Sequence, residues 1–480
     1  MLAYFVSLSF QKNNQNMFSK KSAFYFILLS LVSISLFSCE PKDEIISTDK
    51  SNEISFSPDT VFFDTLYTGF ESPIRRISVK NFNDKALNIS KISLQTGENS
   101  PFRLTINGIK QQEATDIFLR GNDSLRVFLD ILPPILNTDE ITKLEDFLIV
   151  ESNGNIEKLP LVVWLQDGIL LEDSVLECQT VWNGEKPYII KGNVLVEENC
   201  KLTIEAGVKV VFLKDAALLV AGSLEINGTT TNKVKLGSFR NDGAFENALG
   251  QWFGILFGEN SKQNRISYAI IENATTGIRF GTPDTDTIPD LVIENTEIRN
   301  MAEAGIFCLN SDILIQNTLI HNCLKRTFSA GAGGNYFFYN NTFANFGFNF
   351  FREEPSFELS NVLVFVDTLG NEQIIRENLN AYFINNIIWG SMNEELILFA
   401  TPEANFQTFW NANLLKTNLL DESLPNILNQ DPKFVDAFNG KYQLDSLSPA
   451  INTGLYIELE IDLEGKVRDS NPDIGAFEKE

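Results

Sequence analysis

"VIENTEIRN" (Val292–Asn300) and "LIQNTLIHN" (Leu314–Asn322) are nearly the same nonapeptide, and they begin 22 residues apart in a chain of 480 residues. Each contains an Asn that lies between apolar positions, two residues after one and three before the next. The pattern recurs at intervals of 20 to 25 residues, at Asn273, Asn295, Asn317, Asn341, Asn361, Asn386 and Asn411. A repeat of this length without helical periodicity indicates a solenoid.

A coil of about 22 residues accommodates three short strands and three turns. Each strand would pair in parallel with its equivalent in the next coil, ~4.8 Å away. A leucine-rich repeat can have the same period, but its pattern of Leu positions is absent. We therefore predict an all-β fold in which residues 172–425 form a right-handed parallel β-helix of about ten coils.

Asn suits the corners of such coils because it tolerates left-handed backbone angles, and equivalent amides can hydrogen-bond from coil to coil. We predict one structural ladder at a single corner, made of Asn273, Asn295, Asn317, Asn341, Asn361 and Asn386. We also predict one inward apolar column, made of Ile271, Ile293, Ile315, Tyr339, Leu359 and Ile384.

Residues 54–168 follow a different pattern, with six or seven short segments of alternating apolar and polar residues that are separated by turn signals. That spacing predicts an antiparallel β-sandwich before the coils.

At the N-terminus, two Lys residues precede the apolar run Ala23–Phe37, which is short for a membrane span. The run predicts a signal peptide over residues 1–38, with Met17 as a more natural start than Met1, followed by a polar tether over residues 39–53.

The chain carries 38 basic and 63 acidic residues, a formal charge of -25, which argues against a nucleic-acid partner. With one histidine and no paired cysteine motif, no zinc site is predicted. Cys178 and Cys200 are 22 residues apart, or one coil, so we expect them to be neighbours. A disulfide and a pair of packed thiols both remain open.

The stretch "SLFSC" (Ser35–Cys39) resembles a bacterial lipobox, which implies that Cys39 is lipidated and attaches the chain to a membrane. The following "EPKDE" (Glu40–Glu44) resembles the surface-export signal of Bacteroidota lipoproteins. Together these resemblances imply an outer-membrane lipoprotein exposed at the cell surface.

Three further stretches resemble known modules. "RRISVKNFNDKALNISKISL" (Arg75–Leu94) resembles Ig-like domains of the abnormal-spindle and Hydin type. "LTIEAGVKVVF" (Leu202–Phe212) is similar to early coils of right-handed β-helix proteins common in Bacteroidota. "PDIGAFE" (Pro472–Glu478) resembles the end of a choice-of-anchor C-terminal cap, here residues 426–480. These resemblances imply an architecture and no particular activity.

Candidate chemistry lies four residues after the repeating Asn, in a column predicted to contain Gly277, Arg299, His321 and Asn345. Arg299 and His321 are expected to be stacked neighbours, with Glu297, Lys325 and Arg326 nearby. A His beside an Arg can abstract a proton, so Arg299, His321 and Lys325 are the catalytic candidates for a lyase. The other interpretation is a solvated or corner-packed column. No pair of acids recurs on adjacent coils, as glycoside hydrolysis would require.

Two other stretches have a functional and a structural interpretation. Three Asp residues in "GTPDTDTIPD" (Gly281–Asp290) can bind calcium or simply form a solvated loop, and no other cofactor is expected. "NFGFNFF" (Asn345–Phe351) can offer aromatic platforms for sugar rings or pack inside the coils.

The expected function is therefore binding or adhesion at the cell surface without catalysis, with glycan as the leading ligand class and a surface protein as the other. The alternative is a polysaccharide lyase or glycoside hydrolase that acts on an extracellular polysaccharide.

Overall fold

The computed structural model describes residues 44–240, 242–281, 286–367 and 370–479. These residues are all-β, with short 3-10 turns at Gly97–Asn99, Gly243–Phe245 and Ala437–Asn439. No helix in this part of the chain is long and apolar enough to cross a membrane. The predicted signal peptide and the predicted lipidation site Cys39 lie outside the described residues.

The chain divides into two compact units. Among the described residues, the first contains 44–63, Glu71–Leu132 and Leu144–Val163. The second contains Asp64–Phe70, Pro133–Lys143 and everything from Trp164 onward.

The first ten strands form two five-stranded sheets, in the orders β1-β3-β8-β5-β6 and β2-β10-β9-β4-β7. Their bounds are β1 Ser55–Ser57, β2 Val61–Tyr67, β3 Arg75–Asn81, β4 Leu87–Leu94, β5 Phe102–Ile106, β6 Ile109–Lys110, β7 Glu113–Leu119, β8 Asp123–Ile131, β9 Thr142–Ser152 and β10 Asn155–Gln166. β3 pairs antiparallel with both β1 and β8, and β8 alternates between exposed and buried residues. The strands outnumber the predicted six or seven because short edge strands such as β1 and β6 carry no clear alternation.

The second unit contains a sheet of 25 strands, β11–β29 and β32–β37, which we call the coiled sheet. Its bounds are β11 Ile169–Val175, β12 Thr180–Trp182, β13 Tyr188–Val196, β14 Lys201–Glu205, β15 Lys209–Phe212, β16 Ala217–Val220, β17 Ser223–Asn227, β18 Val234–Ser238, β19 Gly254–Phe257, β20 Asn264–Ser267, β21 Ala269–Glu272, β22 Thr276–Phe280, β23 Leu291–Glu294, β24 Glu297–Met301, β25 Ala304–Gln316, β26 Leu319–Cys323, β27 Arg326–Tyr339, β28 Thr342–Asn345, β29 Phe357–Ser360, β32 Leu379–Ile384, β33 Ile387–Gly390, β34 Leu396–Phe399, β35 Phe406–Asn411, β36 Leu414–Leu415 and β37 Ile427–Leu428. A separate hairpin is made of β30 Val362–Val366 and β31 Glu372–Arg376, and a last pair is made of β38 Phe434–Asp436 and β39 Lys441–Leu444.

Strands of the coiled sheet pair in parallel with the strand about three positions later, which produces three rows. Row A includes β14, β17, β20, β23, β25, β27, β32 and β35. Row B includes β15, β18, β21, β24, β26, β28, β33 and β36, and row C includes β16, β19, β22, β25, β27, β29 and β34. The long strands β25 and β27 contribute to rows C and A in turn. This large parallel sheet is compatible with the predicted β-helix.

The predicted apolar column is correct only at the pair Ile293 and Ile315. That column continues in row A through Phe338, Phe383 and Trp410, whose rings stack at centroid distances of 4.6 and 3.7 Å. Of the other predicted members, Ile271 is in row B, Leu359 is in row C, and Tyr339 and Ile384 are one residue beyond the true column. Leu359 is misplaced because the coil from Phe338 to Phe383 is 45 residues long and contains the β30–β31 hairpin, and Ile271 because the true partner of Ile293 is Ile266, 27 residues earlier.

The structure also divides the predicted Asn ladder among three corners. Asn295 and Asn317 turn the corner after row A with positive φ, in register with Asn340 and Asn385. Asn341 and Asn386 follow that corner by one residue, and Asn341 Nδ2 donates to Asn386 Oδ1 over 3.0 Å inside the core. Asn273 lies at the corner after row B and Asn361 at the corner after row C. In each Asn-Asn pair the first Asn turns the corner and the second forms hydrogen bonds in the core. The sequence pattern had assigned both roles to a single Asn.

The C-terminal segment, residues 429–479, covers part of the outer face of row B. Its side chains form two buried clusters with row B residues, Leu319, Ala344, Tyr442, Leu463, Ala476 and Phe477 in one and Ile387, Trp389, Leu414, Leu444, Ala450 and Ile474 in the other. Arg468 Nη2 donates to Asn317 Oδ1 over 3.0 Å, and Gly475 N donates to Asn385 O over 2.8 Å. The segment thus lies along several coils, rather than over the last coil alone as the term cap suggests.

Cys178 and Cys200 form a disulfide with a Cα separation of 4.6 Å, which confirms the prediction that they are neighbours. Cys308 and Cys323 are free and buried.

Candidate functional site

Arg299 and His321 are register partners on β24 and β26, so the prediction that they are neighbours is confirmed. Both point outward from row B, since the alternate residues Ile298 and Ile320 are buried in the core. Their common partner is Glu297, whose Oε1 accepts from Arg299 Nη1 over 2.9 Å and lies 3.1 Å from His321 Nε2.

Arg299 is held by a second carboxylate from the preceding coil. Its Nε and Nη2 atoms donate to Glu272 Oε2 over 2.9 and 2.6 Å. Burial lowers the pKa of Arg299, but the charges of Glu297 and Glu272 outweigh it and the pKa is raised. The guanidinium of Arg299 is therefore a fixed, fully ionised group on the outer face of row B.

Glu297 is ionised at every physiological pH. Burial raises its pKa, but the hydrogen bond from His321 and the charge of Arg299 outweigh burial and lower the pKa to about 2. A carboxylate in this state cannot deliver a proton near neutral pH, so it does not serve as a general acid.

The other residues of the predicted catalytic group lie elsewhere. Lys325 is half-exposed, pairs with Glu303 and does not line the cleft beside His321. Arg326 pairs with Glu354 and Glu358. The register partner of His321 on the next coil is Ala344 and not the predicted Asn345, because the coil step is 23 residues and not 24.

A shelf of Asn side chains borders Arg299 and His321 at the corner after row B. Asn273, Asn300 and Asn322 adopt positive φ values of 66°, 60° and 54°. Asn300 Nδ2 donates to Asn273 Oδ1 over 3.0 Å, and Asn322 Nδ2 donates to Asn300 Oδ1. Asn247, from the loop before β19, accepts from the same Asn300 amide over 3.3 Å.

An aromatic wall faces this shelf. Phe348, from the predicted aromatic stretch, and Phe438, from the 3-10 turn Ala437–Asn439, meet at a ring-centroid distance of 5.2 Å. They are 44% and 67% exposed, so both rings are open to a ligand. Tyr442 lies behind them against the His321 ring, at 4.8 Å. Within the aromatic stretch, Phe346 is partly buried against the two clusters that row B forms with the C-terminal segment, whereas Phe348 is exposed.

The shelf and the wall enclose a cleft of about 340 Å³. Besides Arg299 and His321, its lining includes the aromatic rings and five side-chain amides, from Asn247, Asn300, Asn322, Asn349 and Asn439. Sequence reasoning missed Asn247, Phe438 and Asn439, which lie outside the repeat and reach the cleft only through the folding of distant segments. No local signal marks them.

The predicted calcium loop is partly outside the described residues. Within residues 44–240, 242–281, 286–367 and 370–479, no group of three or more His, Cys, Asp or Glu side chains is placed to hold a metal ion.

No protein-family model matches the chain, and no curated protein matches it. Among solved structures, a complex of XylC with xylose is similar over 87% of this chain and 87% of that chain, with 10% identity and a TM-score of 0.27. The catalytic unit of a GH87 alpha-1,3-glucanase from Streptomyces thermodiastaticus is similar over 74% and 88%, with 10% identity and a TM-score of 0.23. The VesB protease of Vibrio cholerae is matched over 25% of this chain and only 33% of its own length, with 13% identity and a TM-score of 0.18. Likenesses this weak identify no activity, and the functional argument rests on the cleft.

Proposed function

We propose that this protein binds neutral glycan in the cleft between the Asn shelf and the aromatic wall, without turning it over. The observation that carries the proposal is the lining itself, five side-chain amides and two open Phe rings around a cleft of about 340 Å³.

The lining matches the two-sided chemistry of a sugar. A pyranose ring has apolar C–H faces that pack on aromatic rings, and Phe348 and Phe438 offer such surfaces. Its rim of hydroxyls needs both donors and acceptors, and a primary amide supplies two donors and an acceptor oxygen. Asn349 and Asn439 are exposed at the mouth of the cleft. Amides recognise hydroxyls without demanding charge, which favours a neutral ligand.

The nearby acids argue against hydrolysis. Glycoside hydrolysis uses two carboxyl groups, one of which must hold a proton near neutral pH. Glu272 and Glu297 both bond to Arg299, and the pKa of Glu297 is lowered to about 2. Glu297 is therefore not available as an acid, and Glu272 is held by the Arg299 guanidinium.

A polysaccharide lyase is the second candidate, because His321 borders the cleft beside the cationic Arg299. In that reaction His321 would abstract a proton next to a substrate carboxylate that Arg299 neutralises. The two salt bridges that already occupy Arg299 and the 7% exposure of the His321 side chain weigh against this role.

The proposal places this activity on a cell-surface lipoprotein. Cys39 is the lipid anchor, and the Bacteroidota-type export signal directs the chain to the outside of the outer membrane. The first unit is an Ig-like spacer, and the coiled sheet is a right-handed β-helix of about ten coils with a choice-of-anchor-like C-terminal segment. The motifs in the sequence support each of these assignments.

An array of neutral and acidic oligosaccharides tests the binding proposal. We expect the purified chain to bind neutral members, and Phe438→Ala and Asn349→Ala each to weaken binding by about tenfold. Phe399→Ala is a matched control, since Phe399 is 59% exposed on β34 outside the cleft lining. Absence of binding, or binding that both cleft variants retain in full, would contradict the proposal.

The lyase candidate needs a separate assay. We expect no unsaturated product and no new reducing ends when the chain is incubated with pectate, alginate or glycosaminoglycans, with or without calcium. Product that disappears in the His321→Ala variant would establish the lyase in place of the binding protein.

A further inference from the structure

An exposed aromatic row runs across three coils on the outer face of row A. Phe337, Tyr382 and Phe409 are register partners on β27, β32 and β35. The Phe337 and Tyr382 rings stack with centroids 5.3 Å apart, and the Phe409 ring follows at 6.4 Å with a tilt of 44°. Tyr382 and Phe409 are 41% and 48% exposed. A contiguous exposed aromatic row, unlike scattered apolar residues, indicates a binding surface.

An amide row runs beside it, two residues earlier on each strand and therefore on the same face. Asn335 Nδ2 donates to Asp312 Oδ1 over 2.7 Å, and Asn380 Nδ2 donates to Asn335 Oδ1 over 2.9 Å. Gln407 continues the register. Each Asn amide has two N–H donors and spends one on the ladder. The row therefore repeats a spare donor every ~4.8 Å, the spacing of adjacent strands.

On β27, β32 and β35 this face carries no charged side chain, and the neighbouring carboxylate of Asp312 on β25 is buried and accepts from Asn335. The nine outward positions of β27, β32 and β35 in row A are Asn335, Phe337, Tyr339, Asn380, Tyr382, Ile384, Gln407, Phe409 and Asn411. None is ionisable at neutral pH, in a chain with 101 charged residues (63 acidic plus 38 basic). A nucleic acid, a basic peptide and an acidic polysaccharide would each find no exposed opposite charge on these three strands.

We propose that this face, which we call the row A track, binds an extended chain of a neutral polysaccharide. The track repeats the same two chemistries at a constant interval, which suits a ligand that also repeats. Successive sugar rings pack their apolar faces against the aromatic row, and their hydroxyls bond to the spare amide donors. The track is on a different face from the cleft, so the inference does not depend on the proposed function.

Retention of the whole chain on insoluble neutral polysaccharides, cellulose and chitin, tests the track, with pectate and alginate gels as acidic counterparts. We expect retention on at least one neutral polymer and none on the acidic ones, with no loss when ionic strength is raised. Tyr382→Ala and Phe409→Ala should each weaken retention by about tenfold. Phe399→Ala, on row C, should leave it unchanged.

Three results would overturn the inference: no retention on either neutral polymer, equal retention of both track variants and the wild type, or acidic gels retaining the chain better than neutral ones. Analytical ultracentrifugation of the same variants gives a further check. If Tyr382→Ala converts a dimer into a monomer, the track is a self-association surface and not a polysaccharide site. Thermal unfolding of each variant excludes misfolding as the cause of lost retention.

Discussion

Asparagine serves the coiled sheet in two distinct ways at the level of single residues. Asn385 adopts a φ of 60° at a corner, in the left-handed region that Gly, Asn and Asp tolerate better than other residues. Its neighbour Asn386 points into the core and is completely buried. There its Oδ1 accepts from Asn341, and its Nδ2 donates to Asn413 Oδ1 over 3.0 Å. The buried amides thus satisfy backbone and side-chain groups that water cannot reach.

Replacing Asn386 with Leu should destabilise the protein because it leaves several buried groups without partners. The backbone N–H of Asn341 loses its acceptor at 3.1 Å, and Phe338 O loses its donor at 2.9 Å. We expect a cost of about 1–3 kcal/mol for each such group, measured by denaturant unfolding. Asn349→Leu is the control, because Asn349 is exposed. Equal stability of the two variants would refute the role of the buried ladder.

Glu297 makes the free energy of unfolding depend on pH in the acidic range. Its pKa in the folded protein is about 2, against an ordinary value of 4.5. Because the folded value is depressed, the stabilisation is fully present above pH 4.5 and is lost as pH falls toward 2. We expect Glu297→Gln to lower the free energy of unfolding at pH 7 by on the order of 3 kcal/mol.

The difference in the free energy of unfolding between Glu297→Gln and the wild type should become smaller when the measurement is repeated at lower pH. A difference that stays constant between pH 7 and pH 3 would show that the variant acts through packing rather than through the ionised carboxylate.

Among the elements of the fold, the short coils were the most predictable from sequence. The step of 22 residues from Ile293 to Ile315 appears directly in the repeat. The step of 45 residues from Phe338 to Phe383 does not, since a loop and the β30–β31 hairpin interrupt that coil. Spacing alone then assigned Asn361 to a false coil. Arg299 and His321 were found because they lie in uninterrupted coils, whereas Phe438 reaches the same cleft from a segment with no repeat at all.

The β30–β31 hairpin is an insertion that the coiled sheet does not need. Its two strands pair only with each other, and Glu377 N donates to Asn361 O over 3.1 Å across its base. We expect replacement of residues 363–375 by a short Gly/Ser linker to keep cooperative unfolding, since the chain ends to be joined are already adjacent. Circular dichroism and thermal melting check this. Loss of the cooperative transition would mean that the hairpin supports the coil from which it projects.

For the whole molecule, the proposed arrangement combines an anchor with two binding surfaces of different shape. The cleft suits a short glycan, and the row A track suits an extended chain. Both surfaces present amides and aromatic rings, and the cation in the cleft lining, Arg299, is already paired with two carboxylates. In this proposal the formal charge of -25 keeps the protein separate from other acidic surfaces, while the amides and rings carry recognition.

The anchor is tested in cells that export the protein. We expect the wild-type chain in the membrane fraction and the Cys39→Ala variant in the soluble fraction, because lipid chains are what hold such a protein to a bilayer durably. Protease added to intact cells separates outward exposure from a periplasmic location. Membrane association that Cys39→Ala leaves unchanged would contradict the lipobox interpretation.

The hydrogen bond between Arg468 and Asn317 has a consequence for the order in which the chain folds during its synthesis. The two residues are 151 positions apart, so Asn317 leaves the ribosome long before its partner exists. Until the C-terminal segment is translated, Leu319, Ile387 and Leu414 remain without the cover that it provides. A nascent chain halted before residue 430 would therefore expose these apolar side chains of row B to chaperones and proteases.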